Sequence, residues 1–274
     1  MIKKTSVTFQ LFYMFVLFSF LMQSCVRERD TDTNAASDLA MHAFIYQDAA
    51  NIADDAATKN TGENLSNYKT RGYCATLTHD KLSNPRTMII DFGSVNCMGN
   101  DGRERRGSIL VSYTGNYNDS GSVHTITFDE YFVNDHQFMG QNIIENKGKN
   151  GASNTFYTSK VDAKVLKPLL ADTLYFQGEY TIVWKQGEST PIWGDDVYEI
   201  IGKGSGRNEQ KTFYAMNITE PLIKDVLNCR YFHTGKVAIQ PQGKALRTLD
   251  FGDGDCDNDA TVTINNKVFH IELW

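Results

Sequence analysis

The chain has 274 residues, of which 41% are hydrophobic, 12% aromatic and 22% charged. This composition excludes a disordered chain, because aromatic and aliphatic residues are plentiful enough to form a core. Acidic side chains outnumber basic ones by 33 to 27, and the formal net charge of −6 argues against a nucleic-acid partner. The length is compatible with one large domain or two small ones.

The first residues predict export from the cytoplasm. Lys3 and Lys4 precede an almost wholly apolar run from Leu11 to Met22. That run is shorter than the roughly 20 residues that a helix needs to cross a bilayer. A positively charged start followed by a short apolar segment is instead typical of a secretory signal peptide.

Cys25 directly follows the small residue Ser24, where such a signal would be cleaved. The arrangement resembles a bacterial lipoprotein signal, which implies that residues 1–24 are removed and that the Cys25 thiol is acylated. The alternative is an ordinary signal peptide with an incidental cysteine. Residues 25–36 are predicted to form a flexible tether. By analogy with Gram-negative sorting, Val26 after the cysteine favours a lipid anchor in the outer membrane.

An amphipathic helix is predicted from Leu39 to Lys59, with Ser37 and Asp38 as capping residues. Asn60 and Gly62 are predicted to end it. The pattern is typical of a helix that covers a core, and a partner-binding helix is the alternative. The apolar stripe consists of Met41, Ile45, Ala49, Ile52 and Ala56, and the polar residues off it are Gln47, Asn51 and Asp54.

The rest of the chain predicts strands, because β-branched and aromatic runs alternate there with Gly, Asn and Asp. The predicted strands are residues 73–79, 87–92, 108–113, 122–133, 138–145, 155–165, 173–184, 196–201, 212–219, 236–239, 245–251, 260–264 and 267–273. Turns are predicted at Asn134-Asp135 and, as a type I′ turn, at Asn265-Asn266. No intervening segment suits a crossover helix, which argues against a parallel α/β fold. The predicted class is α+β, mainly β, with the helix packed on a large antiparallel sheet that is curved or barrel-like.

A repeated unit contains the four cysteines that follow Cys25. Residues 90–97 (IDFGSVNC) and 249–256 (LDFGDGDC) both read apolar-Asp-Phe-Gly-x-x-x-Cys. The repeat units span about residues 73–113 and 228–273, which predicts pseudo-symmetric halves of a single domain at residues 37–274.

An even number of cysteines in an exported chain suggests two disulfides, for which three pairings exist. The repeat favours Cys74 with Cys97 and Cys229 with Cys256. A metal site formed by all four cysteines is the alternative, but no C-x-x-C pair is present to build it.

A loop with two tryptophans is the candidate ligand-binding segment. Trp184 and Trp193 lie close to Asp195 and Asp196 in the sequence. Aromatic rings can stack on a sugar while carboxylates bind its hydroxyls. The alternative is that both tryptophans pack at one end of the sheet.

Two further segments resemble known loops weakly. Asp253, Asp255, Asp257 and Asp259 alternate as in a calcium loop, but the EF-hand glycine and bidentate glutamate are missing, which favours a solvated turn and no metal. Residues 202–207 (GKGSGR) resemble a phosphate loop, but a strand follows where a helix is needed, so a hairpin loop is predicted.

The signal, the capped helix and the closing residues 249–274 (LDFGDGDCDNDATVTINNKVFHIELW) together resemble an uncharacterised family of Bacteroidetes-type envelope lipoproteins. The resemblance implies no activity, so no catalytic residue and no cofactor is predicted. We expect a non-catalytic binding or envelope-maintenance lipoprotein, attached to the membrane by its lipid, whose partner is a glycan or an envelope protein. The alternatives are a carbohydrate-active hydrolase and a periplasmic carrier of lipids or lipoproteins, which would need an apolar cavity.

Overall fold

A computed structural model describes residues 30–57, 74–168, 173–190, 193–226 and 228–274 of the chain. The predicted signal peptide, Cys25 and the first part of the tether lie outside these residues, as do Asn60 and Gly62 at the predicted helix end. Asp32–Trp274 forms one unit.

The strands of this unit form one antiparallel sheet in which sequence neighbours pair. The strands are β1 Thr76–Asp80, β2 Arg86–Asp91, β3 Cys97–Met98, β4 Glu104–Tyr113, β5 Val123–Val133, β6 His136–Lys149, β7 Thr155–Leu166, β8 Thr173–Gln186, β9 Val197–Arg207, β10 Phe213–Asp225, β11 Thr234–Pro241, β12 Arg247–Asp253, β13 Asp259–Ile264 and β14 Lys267–Glu272. Their order in the sheet follows the chain, except that β3 pairs only with β4. Each predicted strand is present.

The helix α1, Asn34–Ala57, lies inside the curve of this sheet. It contacts β2, β4, β5, β8 and β11, and strands so far apart in the sheet can reach one helix only if the sheet bends around it. Within the described part of the chain, β1 and β14 do not pair with each other, so the sheet is open. The α+β class, with one helix packed on a large curved antiparallel sheet, is confirmed.

The helix begins at Asn34, before the predicted Leu39, because the carboxylate of Asp32 accepts a hydrogen bond from the Asn34 backbone N at 3.0 Å. None of its described side chains is exposed, since the sheet surrounds it. The predicted apolar stripe is buried in the core. Within the described residues, no helix combines the length and the apolar character that crossing a membrane requires.

Both predicted asparagine turns are two-residue turns with left-handed backbone. Asn134 and Asp135 have φ values of 46° and 61°, and Asn265 and Asn266 have values of 49° and 63°. Positive φ at both central positions defines the type I′ turn, whose twist matches that of the flanking strands. These turns connect β5 to β6 and β13 to β14, which fixes the register of each hairpin.

The two copies of the repeat have the same local structure. In each copy the carboxylate before the phenylalanine accepts a hydrogen bond from the glycine after it, at 2.8 Å from Gly93 to Asp91 and 3.0 Å from Gly252 to Asp250. Both glycines have positive φ, +81° and +97°, and the phenylalanine between each pair is buried. The copies occupy β1–β2–β4 and β11–β12–β13, near opposite ends of the sheet.

The predicted cysteine pairs are present. The sulfurs of Cys74 and Cys97 are bonded, with their Cα atoms 6.1 Å apart. Cys229 and Cys256 are bonded in the same way, with a Cα separation of 5.4 Å. Each disulfide therefore connects the cysteine four residues after an Asp-Phe-Gly corner to the start of the same repeat unit.

The glycine-rich residues 202–207 are part of β9, so the predicted hairpin loop is wrong there. Gly202, Gly204 and Gly206 fall on one face of the strand, where aromatic rings from β8 and β10 lie over them. A Cβ at Gly204 would lie 2.5 Å from the backbone carbonyl oxygen of Gln177 and 2.8 Å from the ring of Phe176. One at Gly202 would lie 2.4 Å from the carbonyl oxygen of Glu179 and 2.5 Å from the ring of Tyr180. The glycines allow this close packing within the strand. The sequence prediction takes them instead as evidence for a turn.

Candidate functional site

A cavity of about 480 Å³ lies between α1 and the concave face of the sheet. Its size falls within the range of roughly 300–1,000 Å³ that ligand pockets have. The strands β2 and β4 to β12 all contribute side chains to its wall. On a single strand the lining positions are separated by an even number of residues, as expected for one face of a sheet. Apolar lining residues include Met88, Val111, Ile126, Ile144, Val161, Ile182, Ile200, Met216, Leu222 and Val237.

The helix contributes small side chains to this space. Ala40, Ala43, Ala50 and Ala53 all line the cavity, whereas the predicted apolar stripe packs elsewhere in the core. Alanines leave a gap between the helix backbone and the sheet that larger side chains would fill. The polar residues beside the stripe, Gln47, Asn51 and Asp54, also line the cavity and do not form a solvated face. The alanines next to these polar positions are the sequence signal for the cavity.

One end of the cavity reaches the protein surface. Asn116 and Asn118, between β4 and β5, and Thr190, between β8 and β9, line it and are exposed. Asp54, near the end of α1, lines the cavity as well. These polar side chains form the mouth. The buried wall combines aliphatic and aromatic strand residues with one polar pair, in which the Ser159 hydroxyl donates a hydrogen bond to Asn142 Oδ1 at 2.7 Å.

A buried carboxylate, that of Asp196, lies in the cavity wall with two hydrogen-bond donors. Asp196 is 3% exposed and accepts hydrogen bonds from Trp184 Nε1 at 3.0 Å and from the Tyr198 hydroxyl at 3.4 Å. Burial raises the pKa of Asp196 to about 6, and the nearby Asp195 acts in the same direction, while the two hydrogen bonds oppose it. The side chain is therefore a carboxylate near pH 8 and largely a carboxylic acid near pH 5.

Stacked aromatic rings cover the polar end. Tyr117 stacks on Tyr157 with ring centroids 4.5 Å apart, and its edge meets His124 at 5.4 Å. Burial raises the pKa of Tyr117 well above its usual value, and the charges of Asp54 and Asp196 raise it further. The tyrosines therefore keep their protons and serve as hydrogen-bond donors. The buried Tyr157 hydroxyl has no hydrogen-bond partner within the described ranges.

His42 on α1 brings a second polar atom to the cavity. It is 1% exposed, and its Nδ1 lies 2.7 Å from the backbone carbonyl of Asp38. Burial lowers its pKa to about 4, so the ring is neutral near pH 7. Because the carbonyl can only accept, Nδ1 carries the proton and Nε2 is an acceptor. Nε2 has no partner among the described residues.

The predicted tryptophan segment is only partly brought together. Trp184, 7% exposed, and Asp196 line the cavity, so this tryptophan is not a stacking platform on the outer surface. Asp195 is exposed outside the cavity and accepts a hydrogen bond from the Thr190 hydroxyl at 2.8 Å. Trp193 begins a short 3-10 helix, Trp193–Asp195, and its side chain lies outside the described part of the structure.

The four alternating aspartates, which run from the last residue of β12 to the first residue of β13, are all exposed: Asp253, Asp255, Asp257 and Asp259. Asp257 accepts a hydrogen bond from the backbone N of Asp259 at 3.0 Å, and Asp259 faces His270 Nδ1 at 2.9 Å. Their carboxylates do not converge, and no group of three or more potential ligands within the described ranges is placed to hold a metal ion.

The sequence was compared with protein-family models and with curated proteins, and the fold was compared with solved structures. None of these comparisons found a match. The chemistry of the cavity is therefore the basis on which a function can be assigned.

Proposed function

We propose that this protein is an envelope lipoprotein that binds the apolar part of an amphiphile, such as a lipid acyl chain, in the cavity between α1 and the sheet. The observation that supports the proposal is the cavity of about 480 Å³, most of whose lining residues are aliphatic or aromatic. Protein interiors are close-packed and hold few voids larger than a water molecule. A space of this size enclosed by apolar side chains is typical of a site for an apolar ligand.

The arrangement of polar groups suits an amphiphile. The polar side chains of Asn116, Asn118 and Thr190 surround the exposed end, while Met88, Met216 and the aliphatic strand residues lie in the interior. An acyl chain entering from the mouth would exchange water for apolar contacts, at about 25 cal/mol per Å² of apolar surface buried. Its polar group would stay close to the polar mouth.

The lipid anchor provides the setting for such binding. An acylated Cys25 and a tether before α1 would hold the cavity within reach of the outer membrane, where amphiphiles are concentrated. We expect the wild-type chain to incorporate labelled palmitate. The Cys25→Ser variant should lose both this label and its association with the membrane. Unlabelled wild-type chain would contradict the anchor and leave the cavity proposal standing.

Binding itself can be tested with the probe N-phenylnaphthylamine, whose fluorescence rises in an apolar site. The exported chain with Cys25→Ser avoids the need for detergent, which would compete for the cavity. Ile200 and Ile201 supply a matched pair on β9, because Ile200 lines the cavity and is 5% exposed, while Ile201 is 44% exposed on the other face. We expect Ile200→Trp to weaken probe binding about tenfold or more by filling the cavity, and Ile201→Trp to leave it unchanged.

Thermal denaturation of both variants checks that they fold, and Ala50→Phe on α1 fills the same cavity from the other wall should Ile200→Trp not fold. Absence of saturable probe binding by the parent chain would refute the proposal. Equal weakening by Ile200→Trp and Ile201→Trp would also refute it, because the probe would then be binding elsewhere.

A further inference from the structure

The charged side chains lining the cavity are carboxylates. Asp54 and Asp196 are both part of the wall, and no lysine or arginine lines it in the portion of the chain that the structure describes. Both lining histidines, His42 and His124, have a pKa that burial lowers, so they add no positive charge near neutral pH. Charges act strongly in such a site because the surrounding dielectric is low.

The cavity wall contains hydrogen-bond acceptors whose capacity the described protein donors do not fill. The two oxygens of Asp196 each have one donor, from Trp184 and Tyr198, and a carboxylate can accept further hydrogen bonds. His42 Nε2 also lacks a hydrogen-bond partner among the described residues, but it is buried and lies about 18 Å along α1 from Asp54 at the mouth, so it is not the position of the ligand's polar group. A polar group that donates hydrogen bonds can use the remaining acceptor capacity of Asp196, whereas a group that only accepts hydrogen bonds cannot.

We infer that the amphiphile held in this cavity has a neutral or cationic, hydrogen-bond-donating polar group, such as a hydroxyl or an ammonium, and that carboxylate and phosphate headgroups are disfavoured. The inference rests on the proposed function, since it specifies the ligand of the same cavity. An anionic headgroup would approach Asp196 with like charge and without a cation in the described wall to offset it. A hydroxyl or ammonium would instead donate to the carboxylate of Asp196.

Three amphiphiles with the same saturated chain test this inference: the neutral monolaurin, the cationic dodecylamine and the anionic laurate. Each amphiphile competes with N-phenylnaphthylamine for the Cys25→Ser chain and is used below its own micelle concentration. The measurement is made at about pH 8, at which Asp196 is ionised. We expect monolaurin and dodecylamine to bind at least about tenfold more tightly than laurate.

Asp196→Asn removes the charge with little change in shape, and the exposed neighbour Asp195→Asn is its matched control outside the cavity. We expect Asp196→Asn to reduce the preference against laurate several-fold and Asp195→Asn to retain most of it. Should Asp196→Asn fail to fold, Asp54→Asn removes the other lining carboxylate and is expected to act in the same direction.

The outcomes separate this inference from the proposed function. Saturable probe binding with laurate as the tightest or an equal competitor would overturn the charge preference and leave the proposed function intact. Equal effects of Asp196→Asn on all three amphiphiles would overturn the role of Asp196. Absence of probe binding would refute the proposed function and this inference together.

Discussion

Arg105 on β4 donates a hydrogen bond to the carboxylate of Asp48 on α1 at 2.7 Å, and this buried ion pair joins the helix to the sheet. Arg105 is 1% exposed and also contacts Asp101 at 2.6 Å. Burial alone would raise the pKa of Asp101, but Arg105 and Arg103 lower it to about 2. Asp101 therefore stabilises the fold above its unfolded pKa of 3.8, and this contribution is lost as the pH falls towards 2.

Removal of Asp48 is predicted to destabilise the protein strongly. Asp48→Ala leaves the Arg105 charge buried with one of its two carboxylate partners among the described residues gone, which costs about 3 kcal/mol in the free energy of unfolding. Asp135→Asn is the matched control, because it removes the charge of the exposed partner of Arg106 and keeps a residue that tolerates the positive φ of this turn, so it should cost less than about 1 kcal/mol. Urea denaturation measures both losses, and similar values for the two variants would contradict the prediction.

The buried Asp196 predicts a stability effect that depends on pH. Its pKa is raised from 3.8 to about 6, so the folded state binds its proton more tightly than the unfolded state does. The stabilisation from this proton is complete below pH 3.8 and is lost as the pH rises through 6. Asp196→Asn cannot titrate, so its stability relative to wild type should improve by up to about 3 kcal/mol between about pH 4 and pH 8.

Urea denaturation at the two pH values, with the exposed Asp129→Asn as control, measures this difference. Asp129→Asn controls for the removal of one carboxylate at an exposed position. If the difference in the free energy of unfolding between Asp196→Asn and wild type does not change with pH, the pKa of Asp196 is not raised by folding.

The strands and their turns could be predicted from the sequence because their signals are local. Alternating apolar residues identify each strand, and asparagine at Asn134 and Asn265 tolerates the positive φ of the turns. The short β3, Cys97–Met98, was not predicted, since two residues carry no periodicity. The repeat predicted the cysteine pairs because both members of each pair lie in one copy.

The cavity could not be predicted from the same local signals. Trp184 and Asp196 were candidate ligand-binding residues, and their sequence proximity brings them together in the wall. His42 and Asp54 lie far from them in sequence, and only the curvature of the sheet places them around one space. The polar face of α1 has the pattern of a solvated surface, because periodicity records polarity and not what lies opposite.

At the glycine positions of β9, a residue with high strand propensity is predicted to destabilise the protein. Valine is normally favoured in strands, but Gly204→Val would press a side chain against both the backbone carbonyl oxygen of Gln177 and the ring of Phe176. We expect a loss of about 2 kcal/mol, whereas Lys203→Val, at the exposed neighbouring position, should change stability by less than about 0.5 kcal/mol. In Gly204→Val/Phe176→Ala the two losses should be less than additive, and full additivity would show that the two positions are not coupled.

The two disulfides are predicted to stabilise the protein to similar extents, because they close loops of similar length, with sequence separations of 23 and 27. Loops of this size restrict the unfolded chain by about 3 kcal/mol each in the chain-entropy model. The double variants Cys74→Ala/Cys97→Ala and Cys229→Ala/Cys256→Ala should therefore each lose about that amount in denaturant unfolding. Non-reducing peptide mapping of the wild-type chain should recover these two pairs, whereas a Cys74–Cys229 link would contradict the pairing. Cys74→Ala alone leaves Cys97 free to react, so the double variants separate the loss of the bridge from the chemistry of an unpaired thiol.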